Sequence, residues 1–144
     1  GLRGLVYSKL LIMDKNTIDY ELDVSPSMRI VNFDKYDNDT VLSVCKIVGI
    51  FLDNAIEEVN KLDEKYIIIE MYDDENNIII SITNIFDNTK DKNSIYKVGF
   101  STKGDGHGYG LSLVKKLINK NKYLQSHHEI TDNEFTQILE IKKP

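Results

Sequence analysis

A two-layer α+β sandwich, with helices on one face of a mixed, largely antiparallel sheet, follows from three features of this sequence. Between residues 38 and 62, apolar side chains recur at helical spacing. Two pairs of strand-like runs, within 66–85 and 123–142, each close over a short polar turn, as antiparallel hairpins do. A glycine run at 104–110 leads into a further amphipathic segment lying between those pairs.

Taken in order, residues 1–16 read as a helix with Leu2, Leu5, Val6, Lys9, Leu10 and Met13 on one stripe and "DKNT" as its exit. That stripe is free to pack on a segment outside the chain. "TIDYELDV" alternates at Ile18, Tyr20, Leu22 and Val24, Ser25-Pro26 breaks it, and "MRIVNF" reads as a second short strand in a hairpin-like pair. "DKYDNDT" supplies an N-cap, at Asn38 or Asp39, for a helix running to about Leu62, whose apolar positions are 41, 44, 45, 48, 51, 52, 55 and 59. "YIIIEMY" and "NIIISITNI" are strands joined by "DDENN", whose Asp and Asn residues suit a turn. Residues 86–103 have few apolar anchors and form a loop longer than most, a candidate lid. Leu111, Val114, Leu117 and Ile118 restore a helix from Gly110 to about Lys120. "YLQSHHEI" and "FTQILEIK" close the chain as a hairpin around "TDNE".

The 144 residues suffice for one domain that buries roughly 70% of its unfolded surface. With 41% hydrophobic and 28% charged residues, no disorder signature is present. The net charge of −5 argues against nucleic acid as a main partner, which would need clustered Lys and Arg. Cys45 stands alone in an apolar run, so neither a disulfide framework nor a thiolate metal cluster is expected, and a buried structural role in a reducing compartment is. No apolar run approaches the length of a membrane span and no signal-peptide pattern opens the chain. It begins at Gly1 without an initiator Met, as an excised piece of a longer protein would.

Four glycines, Gly104, Gly106, Gly108 and Gly110, alternate in "STKGDGHGYGLSLVKKL". Such a backbone accepts positive φ and lets a ligand approach main-chain N–H groups closely. Where it runs into a helix N-terminus, the unpaired N–H groups and the positive dipole end favour an anion, typically phosphate, and Lys103 adds a cation. Tyr109 breaks the dinucleotide pattern G-x-G-x-x-G, and no G-x-x-x-x-G-K-[ST] occurs, so the two commonest phosphate folds drop out. A flexible surface linker is the plainer alternative.

In "FLDNAIEE", Asn54, Glu57, Glu58 and Lys61 fall on one side of the long helix, opposite the apolar stripe. They form either a solvated face or an amide oxygen beside carboxylates, a set that Mg²⁺ accepts when phosphate and water complete its shell. Asn84 shares the phase of Ile78, Ile80 and Ile82 and so points toward the core. Its partner is then a backbone group or the edge of a bound base.

The order of these features, "LDNA" on a helix, a strand ending "ITN", a long loop, then "GFSTKGDGHGYGLS" and a helix, resembles the GHKL-type nucleotide-binding domain shared by sensor histidine kinases, gyrase and the mismatch-repair protein MutL. Within that superfamily, "GIFLDNAIEE" and "FSTKGDGHGYGLS" are most similar to the peptide-pheromone quorum-sensing receptor kinases of Gram-positive bacteria, over about residues 17–143. The resemblance implies a Bergerat ATP-binding fold with ATP and Mg²⁺ as cofactors. It makes Asn54 the Mg²⁺ ligand and Asn84 the reader of the adenine amino group. Gly106, Gly108 and Gly110 would lie against the phosphates with Lys103 in contact, and Phe100, Ser101, Thr102, Gly104, His107 and Leu111 would complete the ATP-binding set, with Glu57 and Lys103 in catalytic roles. Two departures stand out: Ile50 occupies a position that is polar in most histidine kinases, and Asn84, followed by Ile85-Phe86, replaces the usual Asp and glycines.

By the same resemblance, residues 1–16 are the tail of a dimerisation helix and residues 17–144 the catalytic domain, the phosphoacceptor His lying upstream. Among the three histidines, His107 sits in the glycine run and His127-His128-Glu129 matches a His-acid pair in the wrong place, after the ATP loop. The implied partners are the chain's own dimerisation domain, a response regulator whose Asp takes the phosphate, and a second copy in a homodimer, with the membrane reached only through upstream segments of an integral receptor whose cytoplasmic domain this would be. Rival readings are an anti-sigma-type serine kinase, a nucleotide-binding module without phosphotransfer, and an ATPase arm of the gyrase kind.

Overall fold

A computed structural model describes residues 1–30, 33–87 and 105–144. Among them, in chain order, are α1 (Leu2–Lys15), β1 (Asp19–Val24), 3-10 turns at Met28–Ile30 and Phe33–Lys35, α2 (Asn38–Asn60), β2 (Tyr66–Asp73), β3 (Asn77–Ile85), α3 (Asp105–Asn119), β4 (Leu124–Thr131) and β5 (Glu134–Lys142). The strands form one sheet in the order β1-β2-β3-β5-β4, with β1 parallel to β2 and the remaining pairs antiparallel. A parallel pair needs a crossover between its strands, and α2 supplies it. The helices share one face of the sheet, which is the α+β arrangement expected.

Period-2 patterning sets that face. Ile67, Ile69 and Met71 of β2, Ile78, Ile80 and Ile82 of β3, and Leu139 and Ile141 of β5 are buried in one cluster with Val44, Ile47, Val48, Phe51, Leu52, Ala55 and Val59 of α2. From α1, Val6, Leu10 and Met13 join the same core, so the stripe is satisfied inside the domain, against α2 and β1. Lys9, on its border, pairs with Asp53 at 2.7 Å. The exit of α1 is a Schellman turn: Ile18 N–H bonds Met13 O at 2.9 Å, Thr17 N–H bonds Asp14 O at 3.2 Å, and Thr17 takes φ 55°.

Three expected elements differ. "MRIVNF" is not a strand and forms no hairpin with β1. The ladder of β1 ends where Ser25 N–H reaches Met71 O, and Met28 and Arg29 N–H then bond back to Ser25 and Pro26 carbonyls in 3-10 fashion. Pro26 presets the turn, and β1 pairs instead with β2, contributed much later in the chain. The N-cap of α2 is Asp37, not Asn38 or Asp39, its carboxylate accepting Thr40 N–H at 2.7 Å, and the helix ends at Asn60, two residues before Leu62.

The third is α3, which starts at Asp105, so Gly106, His107 and Gly108 lie in its first turn rather than in a loop ahead of Gly110. Each glycine costs a helix about 1 kcal/mol. The burial of Leu111 and Val114 nearby outweighs part of that cost. Gly110 also has a packing reason, because a Cβ there would stand 3.4 Å from Ile50 Cγ2 of α2. Ile50, where a polar residue was to be expected, is therefore a contact point between α2 and α3.

Candidate functional site

Three buried amides break the apolar rule on the helix-facing side of the sheet: Asn54 at 8% exposure, Gln137 at 2% and Asn84 at 1%. Asn54 is not on a solvated side opposite the stripe. It stands one helical turn beyond Ile50 and Phe51, on the flank of α2 that meets β5, and there its Nδ2 donates to Gln137 Oε1 at 3.3 Å. Gln137 Nε2 in turn donates to Phe51 O at 3.0 Å. Glu57, the next residue along that flank, is half-buried with its Oε2 enclosed. Glu58 is engaged by Lys61 at 3.3 Å, a surface pair of little energetic weight.

Asn84 lies where its phase in β3 puts it. Its Nδ2 donates to Ile85 O at 3.1 Å, which turns Oδ1 the other way, and that oxygen is buried without a partner among the described residues. An unsatisfied buried acceptor costs about 1–3 kcal/mol. Asn84 is opposite Phe135, and Ile82 is opposite Gln137, so Asn84 and Gln137 are diagonal neighbours on one face. The three amides thus gather where β3 leaves the sheet and β5 enters it.

Gln137 escaped the sequence reading, although its signal was of the same kind as that of Asn84. Phe135, Gln137, Leu139 and Ile141 share a phase, and one of the four is polar.

Phe100, Ser101, Thr102, Lys103 and Gly104 lie outside the described residues, as does nearly all of the expected lid. Before it, Phe86 is buried and its N–H bonds Asn133 O at 3.0 Å, anchoring the chain as it leaves β3. After it, the N–H groups of the first turn of α3, at residues 105–108, have no acceptor within the helix and sit at the positive end of its dipole. Gly110 follows, packed toward α2, and Leu111 after it is buried. Ile50 and Gly110 join this helix start to the turn of α2 that carries Asn54.

His127 is exposed on edge strand β4 and His128 half-buried beside Phe135, with ring centroids 5.9 Å apart. Burial, and secondly the neighbouring His127, push the His128 imidazole below its ordinary pKa. Cys45 is half-buried on α2.

These residues fit a purine nucleotide and a hard cation. The orphaned Asn84 Oδ1 matches an exocyclic amino donor. The α3 terminus matches phosphate. Among the described residues no group of three or more His, Cys, Asp or Glu side chains could hold a metal alone. An ion at Asn54 would therefore draw most of its oxygens from phosphate and water, as Mg²⁺ commonly does. Among the described residues no helix is long and apolar enough to cross a membrane.

A family model described as the GHKL domain matches residues 40–142. Among solved structures, the nucleotide-free catalytic domain of histidine kinase ThkA superposes with a TM-score of 0.73 at 23% identity, covering 99% of this chain and 90% of that one. The mycobacterial sensor histidine kinase MprB gives 0.59 at 15% identity, with 97% and 93% covered. Full-length ShkA in complex with AMPPNP gives 0.67 at 15%, with 98% of this chain and 30% of that one covered. Likenesses at such identities show the fold. No curated protein matches the chain.

Proposed function

Because the chain belongs to the GHKL domain family, we propose that it is the ATP-binding catalytic domain of a two-component sensor histidine kinase, passing the γ-phosphate to a His on a dimerisation domain and thence to a response-regulator Asp. The observation that carries the reading is the buried acceptor of Asn84, left without a donor among the described residues in the core phase of β3. Adenine's amino group would satisfy it. Asn54 Oδ1 is the atom that would hold Mg²⁺, and Mg²⁺ bound there would neutralise charge on the β- and γ-phosphates.

The chain's own residues divide the remaining work. The α3 N–H groups and the backbone at Gly106, Gly108 and Gly110 receive phosphate oxygens, with Lys103 as the added cation and Phe100 to Gly104, His107 and Leu111 around them. Glu57 stands about one helical turn after Asn54 on the same flank of α2, where its carboxylate would orient the incoming imidazole or take its proton. Most of the acceleration comes from holding the reactants in line. Residues 1–16 are the end of the dimerisation helix, His128 is not the acceptor, and the parent protein is a homodimeric membrane receptor of the pheromone-sensing kind with this domain in the cytoplasm. "GIFLDNAIEE" and "FSTKGDGHGYGLS" support that last assignment.

Two measurements test it. Mg·ADP at about 100 times Kd should raise stability by roughly 2.7 kcal/mol, and Asn54→Ala should remove most of that gain. Mixing the domain with an N-terminal dimerisation domain and labelled ATP should put acid-labile phosphate on the latter. Label on a serine of an added protein instead would favour the anti-sigma-type kinase, and nucleotide binding with no label anywhere would favour a module without phosphotransfer.

A further inference from the structure

We propose that Gln137 is a positioning residue that decides which atom of the Asn54 amide is presented to the metal-nucleotide, an inference that rests on the site proposed above. The orientation is forced link by link. Phe51 O can only accept, so the Gln137 amide must turn Nε2 toward it, as it does at 3.0 Å. Gln137 Oε1 is then the atom left facing α2, and it too can only accept. Asn54 must answer with Nδ2, at 3.3 Å. Its Oδ1 therefore faces away from β5, as a cation ligand.

Reversing the Asn54 amide would set oxygen against oxygen across this contact and offer an NH₂ group to the cation. Both amides are buried, so water does not stand in for either partner. A buried glutamine between Phe135 and Leu139 is costly unless its polar atoms are used. Here both bonds run to the single turn of α2 that carries Asn54. The chain thus orients the ligand from a strand distant in sequence, through an unambiguous backbone carbonyl.

The test is the Mg²⁺ dependence of ADP binding, measured by calorimetry on the 144-residue chain, with thermal unfolding of each variant alongside. Gln137→Met keeps length and apolar fit but makes neither hydrogen bond, and Gln137→Leu serves as a second variant should Met destabilise the strand. Loss of such an outer partner weakens metal binding about tenfold or more, while ADP binding without Mg²⁺ should be unchanged. In an Asn54→Asp background a carboxylate presents an oxygen on either side and sets another against Gln137 Oε1, so the same Gln137 substitution should leave Mg²⁺ binding no weaker. Undiminished Mg²⁺ affinity in Gln137→Met, or an equal loss in both backgrounds, would overturn the proposal, the latter marking a purely structural role. A wild-type chain that binds ADP indifferently to Mg²⁺, or not at all, would overturn the site reading and this inference with it.

Discussion

One face of one sheet is built to opposite rules at its two ends. Toward β1 and the middle of the strands, Met13, Leu52, Ile69 and Ile80 are fully enclosed and wholly apolar. Where β3 exits and β5 enters, Asn54, Gln137 and Asn84 are enclosed to nearly the same degree yet polar, one of them with an acceptor unanswered among the described residues. Burial alone does not separate the two ends. The first end repays burial with transfer free energy, whereas the second gives stability away to keep polar atoms in fixed orientations. Substitutions should accordingly divide into those that change folding and those that change binding.

The largest effect belongs to the apolar end. Leu52→Ala leaves a cavity beneath the centre of the sheet and should cost about 2–5 kcal/mol in urea unfolding. The molecules still folded should bind Mg·ADP as before. Loss of binding in proportion to none of the lost stability would erase the distinction between the ends.

Asn84→Leu should do the reverse. It removes one hydrogen bond, worth about 0.5–1.5 kcal/mol, together with an unsatisfied acceptor costing about 1–3 kcal/mol, so the net change is near zero or a gain of about 1 kcal/mol. The stabilisation by nucleotide, roughly 2.7 kcal/mol at saturating ADP, should disappear. A variant that is destabilised and still shifts with ADP would show that Asn84 belongs to the fold.

A smaller change sharpens the comparison from the structural side. Thr17 holds φ 55° at the end of α1, where a β-branched residue is strained and glycine is not. Thr17→Gly should raise stability by about 0.5–1 kcal/mol, after allowing for the entropy of the unfolded glycine, and leave ADP affinity untouched. Thermal unfolding with and without ADP reads both quantities.

How far these ends were legible in the sequence follows from the range of the forces involved. Asn84 was legible because strand phase is local, and Gln137 was equally legible by that logic but went unread among Phe135, Leu139 and Ile141. Asn54 was identified and misplaced, since periodicity locates the centre of an apolar stripe but not which of its flanks meets β5. "MRIVNF" has the composition of a strand, but its pairing depended on β2, some forty positions later, having the stronger claim on β1. The start of α3 was missed because three glycines argue locally for a loop, and packing on Ile50 is not a local fact. Residues 100–104, on which the phosphate reading leans most, lie outside the described residues, so that part rests on the resemblance of the motif.

The smallest effect is the pH response, in which the two ends titrate in separate windows. Burial and His127 hold His128, which faces Gln137 across the β4–β5 ladder, below its unfolded pKa of about 6.5. Protonation therefore favours the unfolded chain, and this contribution is complete above about pH 6.5 and lost as pH falls through the lower folded value. Away from the amides, Thr40 N–H depresses Asp37, Lys143 and then Ser27 depress Asp73, and the N–H groups of Asn77 and Asn76 depress Asp74. Those contributions are complete above about pH 3.9 and fade as pH falls through values lower still. The melting temperature should thus fall in two steps on acidification, a shallow one beginning near pH 6.5 and a steeper one below about pH 4. His128→Gln should abolish the first and keep the second, and Asp37→Asn, which retains an accepting oxygen at the cap without the charge, should blunt the second and keep the first. A shallow step that survives in His128→Gln would assign it to a group outside the polar end.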